Sequence, residues 1–357
     1  MKLPEPFASL PRQPLLFPTA SPIEPLHRLT ARLAESGGNL NAIFVKREDA
    51  NSGLGGGGGN KLRKLEYVLA DALAQTPKPT RIVTEGGIQS NHVRQVTAAA
   101  AKLGLEAVLL IADLVPERTA DSNGHKAQYE DLGNVQLTRL MSATHVDASE
   151  AALTRETLLQ DGDAYWIPSG ASTHPLGGLG YARWAFEVEE QEREMGTFFD
   201  VIVVALMSGS TLAGMVAGLK LAAKARAATQ EGDVSPRKRR VIGVQAGPKD
   251  SKEMRQLVLQ IARTTARKIG VDEEEITEDD FEIDSRWHAG AYGRLDERTR
   301  DSIKLAASME GLITDPVYSG KALTAVCEMA RTGEVQGNVL FVHTGGVLTL
   351  SAYPDLR

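Results

Sequence analysis

Residues 81–112, RIVTEGGIQSNHVRQVTAAAAKLGLEAVLLIA, decide the fold class of this chain. The first run, RIVTEGG (81–87), predicts a strand that ends in a glycine turn. SNHVRQVTAAAAKLGL (90–105) has the spacing of a helix, and EAVLLIA (106–112) predicts the next strand. The stretch therefore predicts a β–α–β unit with parallel strands.

The same alternation recurs on both sides of this unit. AIFVKRED (42–49) predicts a strand, and NKLRKLEYVLADALAQ (60–75) predicts an amphipathic helix. Strand, small-residue turn and helix follow one another in FFDVIVVALMSGSTLAGMVAGLKLAAKA (198–225), and a last strand ends in NVLFVHTGG (338–346). We therefore expect an α/β protein with mainly parallel sheets.

Composition excludes several classes of function. The chain has 357 residues, 42% of them hydrophobic, and a formal net charge of −6. Its length suggests two domains, and its charge argues against nucleic acid or anionic membrane as a partner. The single cysteine, Cys327, permits no internal disulfide, and the longest apolar runs are too short to span a membrane. We expect a soluble, cytoplasmic protein.

A small-residue turn and the spacing of the histidines indicate which ligands the chain could bind. Ser208, Gly209, Ser210 and Thr211 follow a predicted strand and begin a helix, so their N–H and hydroxyl groups could bind a phosphate or could simply cap the helix. The seven histidines show no pair at i, i+4, and a metal site is not expected.

The glycine run GLGGGGGNK (53–61) ends at Lys61, at the start of a predicted helix. By itself Lys61 would be interpreted as a surface lysine. A lysine that can attack an aldehyde, combined with a phosphate-binding turn, is however the minimum requirement for pyridoxal phosphate. The polar stretch 224–241, which includes four consecutive basic residues, is predicted to be a solvated loop between helix and strand.

Six motifs occur here in a known order: KREDANSG…GGNKLRKLEY, GGIQSNHVRQ, HPLGGLGY, SGSTLAGM, TDPVYSGKAL and HTGGVLTLSAY. In this the chain resembles the 1-aminocyclopropane-1-carboxylate deaminase and D-cysteine desulfhydrase family, over roughly residues 15–355. Its members are pyridoxal-phosphate enzymes of the tryptophan-synthase-β fold type (fold type II). The resemblance implies two open, mainly parallel α/β lobes with the cofactor in the cleft between them. We expect a large lobe of residues 1–61 and 176–357, a small lobe of residues 62–175, and a homodimer.

The resemblance also assigns roles to individual residues. Lys61 matches the lysine that is covalently linked to the cofactor, and Asn91 the asparagine that bonds the cofactor's ring oxygen. Ser90 matches a serine near the substrate, and Tyr292 and Tyr318 match two active-site tyrosines. The predicted catalytic residues are thus Lys61, Ser90, Tyr292 and Tyr318. The predicted cofactor-binding residues are Lys61, Asn60, Lys64, Asn91, Ser208, Gly209, Ser210, Thr211, Leu212, Ser319 and Thr344, and the predicted substrate-binding residues are Ser90, Asn91, His92, Tyr292 and Tyr318.

Two positions separate the two branches of the family, and a third, His92, agrees with them. The deaminases carry glutamate and leucine where this chain has Ser319 and Thr344, and the desulfhydrases resemble this chain at both positions and at His92. The glutamate position faces the pyridine nitrogen, where a carboxylate favours a protonated ring and a stronger electron sink. A serine hydroxyl cannot enforce that protonation, and β-elimination demands less of the ring than opening a cyclopropane.

These residues favour α,β-elimination from a small D-amino acid, with D-cysteine giving pyruvate, sulfide and ammonia. Lys61 or Ser90 would remove the α-proton. The alternatives are deamination of 1-aminocyclopropane-1-carboxylate, and racemisation or β/γ-substitution on the same scaffold. A protein that only binds the cofactor is disfavoured, because it would not need proton-transfer groups. The extra glycines before Lys61 suggest a loose loop.

Overall fold

The computed structural model describes residues 1–35, 40–120, 124–147, 149, 155–160, 162–228 and 238–356. The strands are β1 (Ile23–Pro25), β2 (Leu40–Arg47), β3 (Arg81–Gly87), β4 (Glu106–Ala112), β5 (Thr144–Asp147), β6 (Ala164–Ile167), β7 (Val201–Leu206), β8 (Arg240–Gln245), β9 (Glu282–Asp284) and β10 (Gly337–His343). The helices are α1 (His27–Ala34), α2 (Asn60–Leu73), α3 (Asn91–Lys102), α4 (Pro116–Thr119), α5 (Lys126–Asp131), α6 (Asn134–Leu140), α7 (Arg155–Leu159), α8 (Leu179–Met195), α9 (Ser210–Ala227), α10 (Ser251–Ile269), α11 (Glu297–Glu310) and α12 (Ser319–Arg331).

The strands form two separate sheets. One has six strands in the order β1-β2-β10-β7-β8-β9, parallel except for the antiparallel edge strand β1. The other has four parallel strands in the order β5-β4-β3-β6. The predicted α/β class with mainly parallel sheets is confirmed, including the β–α–β unit of β3, α3 and β4.

The six-stranded sheet is covered by helices on both faces. Along β7, Ile202 and Val204 belong to a core with α8, α9 and α10, whereas Val201 and Val203 belong to a core with α1 and α12. Successive side chains of a strand point to opposite faces, so a strand covered on both sides needs apolar residues at consecutive positions. This is why VIVVAL shows no polar alternation.

The four-stranded sheet has its own core, to which α2 and α3 contribute one apolar face each. Leu62, Leu65 and Leu69 of α2 pack there with Val93 and Val96 of α3. All four strands of this sheet lie between residues 81 and 167. The lobe boundaries at 61/62 and 175/176 stay a prediction, because the sheets do not define them residue by residue.

A buried ion cluster connects the start of α2 to β2 and α8. The guanidinium of Arg63 binds Glu48 and Glu187, and Lys46 donates to Glu187 over 2.5 Å. Burial by itself would raise the pKa of Glu187, but the charges of Arg63 and Lys46 overcome this and lower it to about 2. The cluster fixes the helix turn that directly follows Lys61.

Among the described residues, no helix combines the length and the apolar character that a membrane span requires.

Residues 229–237 of the predicted solvated loop lie outside the described residues. Five basic residues of the stretch 224–241 are described, and four of them have an acidic partner. The pairs are Lys224 with Glu275 (2.5 Å), Arg226 with Glu189 (3.1 Å), Arg239 with Glu192 (2.9 Å) and Arg240 with Glu282 (2.8 Å).

Candidate active site

A pocket lies where the carboxyl ends of strands from both sheets meet the N-termini of helices. Ten of the sequence-predicted residues line it: Asn60, Lys61, Ser90, Asn91, His92, Ser208, Gly209, Thr211, Tyr318 and Thr344. Five lie behind its walls: Lys64, Ser210, Leu212, Tyr292 and Ser319. Parallel strands direct their carboxyl ends to one edge of the sheet, and helix N-termini there carry free N–H groups. The fold thereby collects residues that are far apart in sequence.

Lys61 is the second residue of α2 and contributes its amino group to the pocket wall. Its Nζ donates to Asn60 Oδ1 over 2.8 Å. Burial lowers the pKa of Lys61 to about 8, and the negative charge of Asp315 opposes this shift. A lysine with such a pKa is partly neutral near pH 7, and only the neutral amine can attack an aldehyde.

Side chains of other segments hold several residues of the glycine run before Lys61, whereas the sequence suggested a loose loop. Arg94 of α3 donates to the carbonyls of Gly55 (2.8 Å) and Gly57 (3.2 Å), and Asn51 accepts the N–H of Gly59 (3.0 Å). Gly59 has a φ of +149°, and a Cβ there would lie 2.4 Å from Gln95 Nε2. The run lets the backbone approach these side chains and delivers Lys61 in a fixed position.

The start of α9 provides a cradle for an anion. Gly209, with a φ of +99°, precedes the 18-residue helix, and no side chain of the described residues caps the N-terminus of this helix. Ser172 donates to Ser208 over 2.6 Å and lies 2.9 Å from Ser210, so three hydroxyls cluster beside the free N–H groups. The side chain of Leu212 points into the core, which leaves only its backbone for ligand binding.

Lys64 places a second buried amino group beside this cradle. Its side chain is 1% exposed, and within the described part of the chain its Nζ has one hydrogen bond, to Gly170 O at 3.2 Å. Burial and the neighbouring Lys61 hold the pKa of Lys64 well below its usual value. A buried amine with so few partners, next to free N–H groups and hydroxyls, fits a phosphate monoester.

The opposite wall is the start of α3. Ser90 caps this helix, its Oγ accepting from the N–H groups of His92 (3.2 Å) and Val93 (3.4 Å). Thr84 donates its hydroxyl proton to Ile167 O, so it accepts from His92 Nε2 at 2.9 Å. His92 is therefore the Nε2–H tautomer, and burial, followed by the charges of Lys61 and Lys64, keeps its pKa well below the usual value. Its buried Nδ1 has no partner among the described residues.

Two tyrosines and a threonine close the pocket. The hydroxyls of Tyr292 and Tyr318 share a short hydrogen bond, and Tyr318 lines the pocket with Tyr292 behind it. Burial raises the pKa of Tyr292 to about 12 and that of Tyr318 well above 10, so both hydroxyls stay protonated near neutrality. Thr344 accepts the N–H of Asn60 through its carbonyl at 3.1 Å, which joins the last strand to α2.

Ser319 has a partner that sequence reasoning missed. Its hydroxyl forms a short hydrogen bond with the carboxylate of Asp315, which is fully buried and also accepts the N–H groups of Val317, Tyr318 and Ser319. Ser172 and Asp315 carry no signal of their own in the sequence. Both became visible only because the fold places them against predicted residues.

The lysine, the anion cradle and the second buried lysine fit pyridoxal phosphate, and the comparisons agree. A family model described as pyridoxal-phosphate dependent enzyme matches residues 15–345. The chain is 42% identical to a probable 1-aminocyclopropane-1-carboxylate deaminase of Cryptococcus neoformans, over 97% of this chain and 95% of that protein. It is also 42% identical to the 1-aminocyclopropane-1-carboxylate deaminase of Burkholderia cenocepacia, over 96% of each.

Solved structures show the same relationship. A structure described as an ACC deaminase homologue matches with a TM-score of 0.80 and 31% identity over 98% of this chain and 96% of that chain. A pyridoxal 5'-phosphate-dependent aspartate racemase shares the fold alone, with a TM-score of 0.60 and 13% identity over 94% and 92%. The expected tryptophan-synthase-β-like fold is therefore confirmed. The chain belongs to the pyridoxal-phosphate dependent enzymes, within the family of the 1-aminocyclopropane-1-carboxylate deaminases.

Proposed function

We propose that the protein deaminates 1-aminocyclopropane-1-carboxylate, with water, to 2-oxobutanoate and ammonia. The observation that carries this proposal is the identity of 42% over nearly the whole chain to two proteins named for that activity. Ser319, Thr344 and His92 favoured D-cysteine as the substrate, whereas the names of the relatives support the alternative, the cyclopropane amino acid, better.

The buried Asp315 weakens the reason for preferring elimination over ring opening. From the sequence, Ser319 was expected to be an isolated neutral hydroxyl opposite the pyridine nitrogen. The hydroxyl is instead bonded to a fully buried carboxylate. With its proton directed to Asp315, the serine oxygen can accept a hydrogen bond from a protonated ring nitrogen, and the negative charge behind it favours that protonation.

The bound cofactor would supply the electron sink and the carrier for the amino group. Lys64, Ser172 and the start of α9 would hold its phosphate. We assign proton transfer to Lys61, because its pKa of about 8 lies close to neutrality. Ser90 is less suited as a base, since its oxygen already accepts two N–H groups. The protonated Tyr318, supported by Tyr292, would donate a hydrogen bond to the substrate.

A second candidate is β-elimination of D-cysteine with water to pyruvate, sulfide and ammonia. It is favoured by Ser319 and Thr344, which differ from the glutamate and leucine that the sequence analysis associates with the deaminases. Thr344 lines the pocket and Ser319 does not. Either reaction requires Lys61, and the substrate alone distinguishes them.

A substrate panel tests the proposal directly. Purified protein with bound cofactor is given the cyclopropane amino acid, D-cysteine or L-cysteine, and 2-oxobutanoate, pyruvate and sulfide are measured. We expect 2-oxobutanoate, its loss in Lys61→Ala, and no change in Lys102→Ala, where an exposed lysine of the neighbouring helix is removed. Release of sulfide from D-cysteine with at least ten-fold higher kcat/KM than ring opening would replace the deaminase by the second candidate.

The double variant Ser319→Glu/Thr344→Leu examines the branch argument. If Ser319 limits protonation of the ring, the variant gains ring-opening activity relative to elimination of D-cysteine. If Asp315 already serves this purpose, the ratio does not rise. Homodimeric assembly, which the resemblance implies, and a cytoplasmic location, which the composition suggests, are further proposals. Light scattering of the purified protein tests the first, and microscopy of a tagged chain tests the second.

A further inference from the structure

The side chain of Asn134 contacts a predicted cofactor ligand. Asn134 is the first residue of α6 and is fully buried. Its Nδ2 donates to Asn91 Oδ1 and to the backbone carbonyl of Gln89, both at 2.9 Å. No sequence motif predicted this residue, which lies 43 positions after Asn91.

These two hydrogen bonds determine the orientation of both amides. The carbonyl of Gln89 is part of the backbone, so it accepts and cannot donate. The group of Asn134 that faces it must therefore be NH₂, and the same NH₂ faces Asn91. Asn91 must then turn its oxygen toward Asn134, which directs its own NH₂ into the pocket. Within the described ranges, that NH₂ has no hydrogen-bond partner.

Gln89 also fixes the backbone that carries Asn134. Its side-chain oxygen accepts the N–H of Asn134 at 2.9 Å, and its amide donates to the carbonyls of Tyr129 (2.6 Å) and Leu132 (2.8 Å). Gly133 has a φ of +64°, and a Cβ there would lie 2.5 Å from the side-chain oxygen of Gln89. The segment before α6 is thus docked onto the turn that contains Asn91.

We propose that Asn134 is a positioning residue that holds the amide of Asn91 with its NH₂ group toward the ring oxygen of the cofactor. The proposal rests on the cofactor role assigned to Asn91. An NH₂ donor stabilises a deprotonated ring oxygen, whereas the carbonyl of a reversed amide repels it. Asn134 thereby sets the charge state of a group that it does not touch.

The substitution Asn134→Asp reverses the direction of the hydrogen bond. An aspartate accepts from Asn91, so the amide of Asn91 turns and presents its oxygen to the pocket. We expect the pH midpoint at which the visible band of the bound cofactor titrates to rise by about one pH unit, corresponding to a ten-fold weaker preference for the deprotonated oxygen. Asn134→Ala, which leaves Asn91 free to turn either way, should shift the midpoint in the same direction by less.

A double-variant cycle separates positioning from a structural effect. In an Asn91→Ala background, Asn134→Ala should change neither the midpoint nor the dissociation constant of the cofactor, because the residue through which it acts is absent. Thr138→Val is the matched control, a buried residue one turn further along α6. Its hydroxyl bonds His145 and the backbone carbonyl of Asn134, but not the side chain of Asn134 or Asn91. It should leave the midpoint unchanged.

Three results would overturn the proposal: a midpoint that is unchanged in Asn134→Asp, effects that add fully in the double variant, or cofactor binding and spectrum unaffected by Asn91→Ala. Because each readout is a difference between variants in the bound cofactor, a general loss of stability does not imitate it. Wild-type protein that shows the spectral coupling but releases no 2-oxobutanoate or pyruvate would refute the proposed reaction and leave the role of Asn134 intact.

Discussion

The lowered pKa of Lys61 makes a quantitative prediction about how fast the protein captures its cofactor. Burial lowers this pKa from 10.5 to about 8. At pH 7 a lysine of ordinary pKa is neutral in about three molecules in ten thousand, whereas Lys61 is neutral in about one in ten. Near neutrality the neutral fraction of Lys61 is therefore about 300-fold larger than that of an ordinary lysine. Above pH 9 nearly all of Lys61 is neutral, so its reactive fraction rises little further.

The assay follows the visible band after protein freed of cofactor is mixed with pyridoxal phosphate at a series of pH values. Borohydride reduction and mass spectrometry locate the linkage at Lys61. We expect the initial rate to rise with pH and to reach half its maximum near pH 8. The charge of Asp315 raises the pKa of Lys61, so Asp315→Asn should move this midpoint below 8.

Asp296→Asn is the matched control for that variant. Asp296 caps α11 as Asp315 caps the start of α12, but it is not among the charges that act on Lys61. An asparagine can still accept the N–H of Thr299, so the variant should keep the stability of the wild type and leave the midpoint unchanged. A midpoint near 10.5 in the wild type, or an upward shift in Asp315→Asn, would refute the reasoning.

Three further predictions concern packing, charge and the anion cradle. Gly180→Ala should destabilise the fold by about 1–3 kcal/mol in thermal or urea unfolding, because the new Cβ would lie 2.1 Å from a backbone carbonyl of α2. Gly53→Ala is the control: its Cβ would lie 3.7 Å from the nearest atom, and its stability should stay within about 0.5 kcal/mol of wild type. Glu187→Gln should cost about 3 kcal/mol at pH 7, since it removes the carboxylate that binds the buried Lys46, whereas Arg63 keeps its ion pair with Glu48. That difference is complete above the ordinary pKa of 4.5 and should shrink in urea titrations as the pH falls from 4.5 toward about 2; a difference independent of pH would contradict it. Ser172→Ala should weaken the binding of pyridoxal phosphate about ten-fold by equilibrium dialysis through loss of two hydroxyl contacts, whereas Ser302→Ala, remote from the cradle, should bind as wild type.

The fold class was predictable because its signals are local. The strand–helix–strand pattern of residues 81–112 and the consecutive apolar residues of VIVVAL follow from how strands and helices bury their side chains. The order of strands in the six-stranded sheet was not predictable, since β10 inserts between β2 and β7 across nearly the whole chain. Which distant strands pair depends on tertiary packing.

The site residues also divide into those that the sequence predicted and those that only the structure revealed. Lys61 and the 208–212 turn were identified from residue type and context, and the motifs of a known family named the others. The packing of the glycine run was misjudged, because five glycines look flexible until Arg94 and Asn51 are known to hold them. Asp315 and Ser172 were missed, because an aspartate at a helix start and a serine in a loop usually serve as caps.

By itself the sequence determined the α/β class and the family, because strand–helix alternation and short motifs are properties of residues close together in the chain. It also predicted a lysine for the cofactor and a helix start for an anion. Only the tertiary structure decided which proton each group holds. The neutral tendency of Lys61, the tautomer of His92 and the orientation of Asn91 each depend on burial and on partners contributed by other elements. Charge state is a property of the environment, and that environment is assembled only when the chain folds.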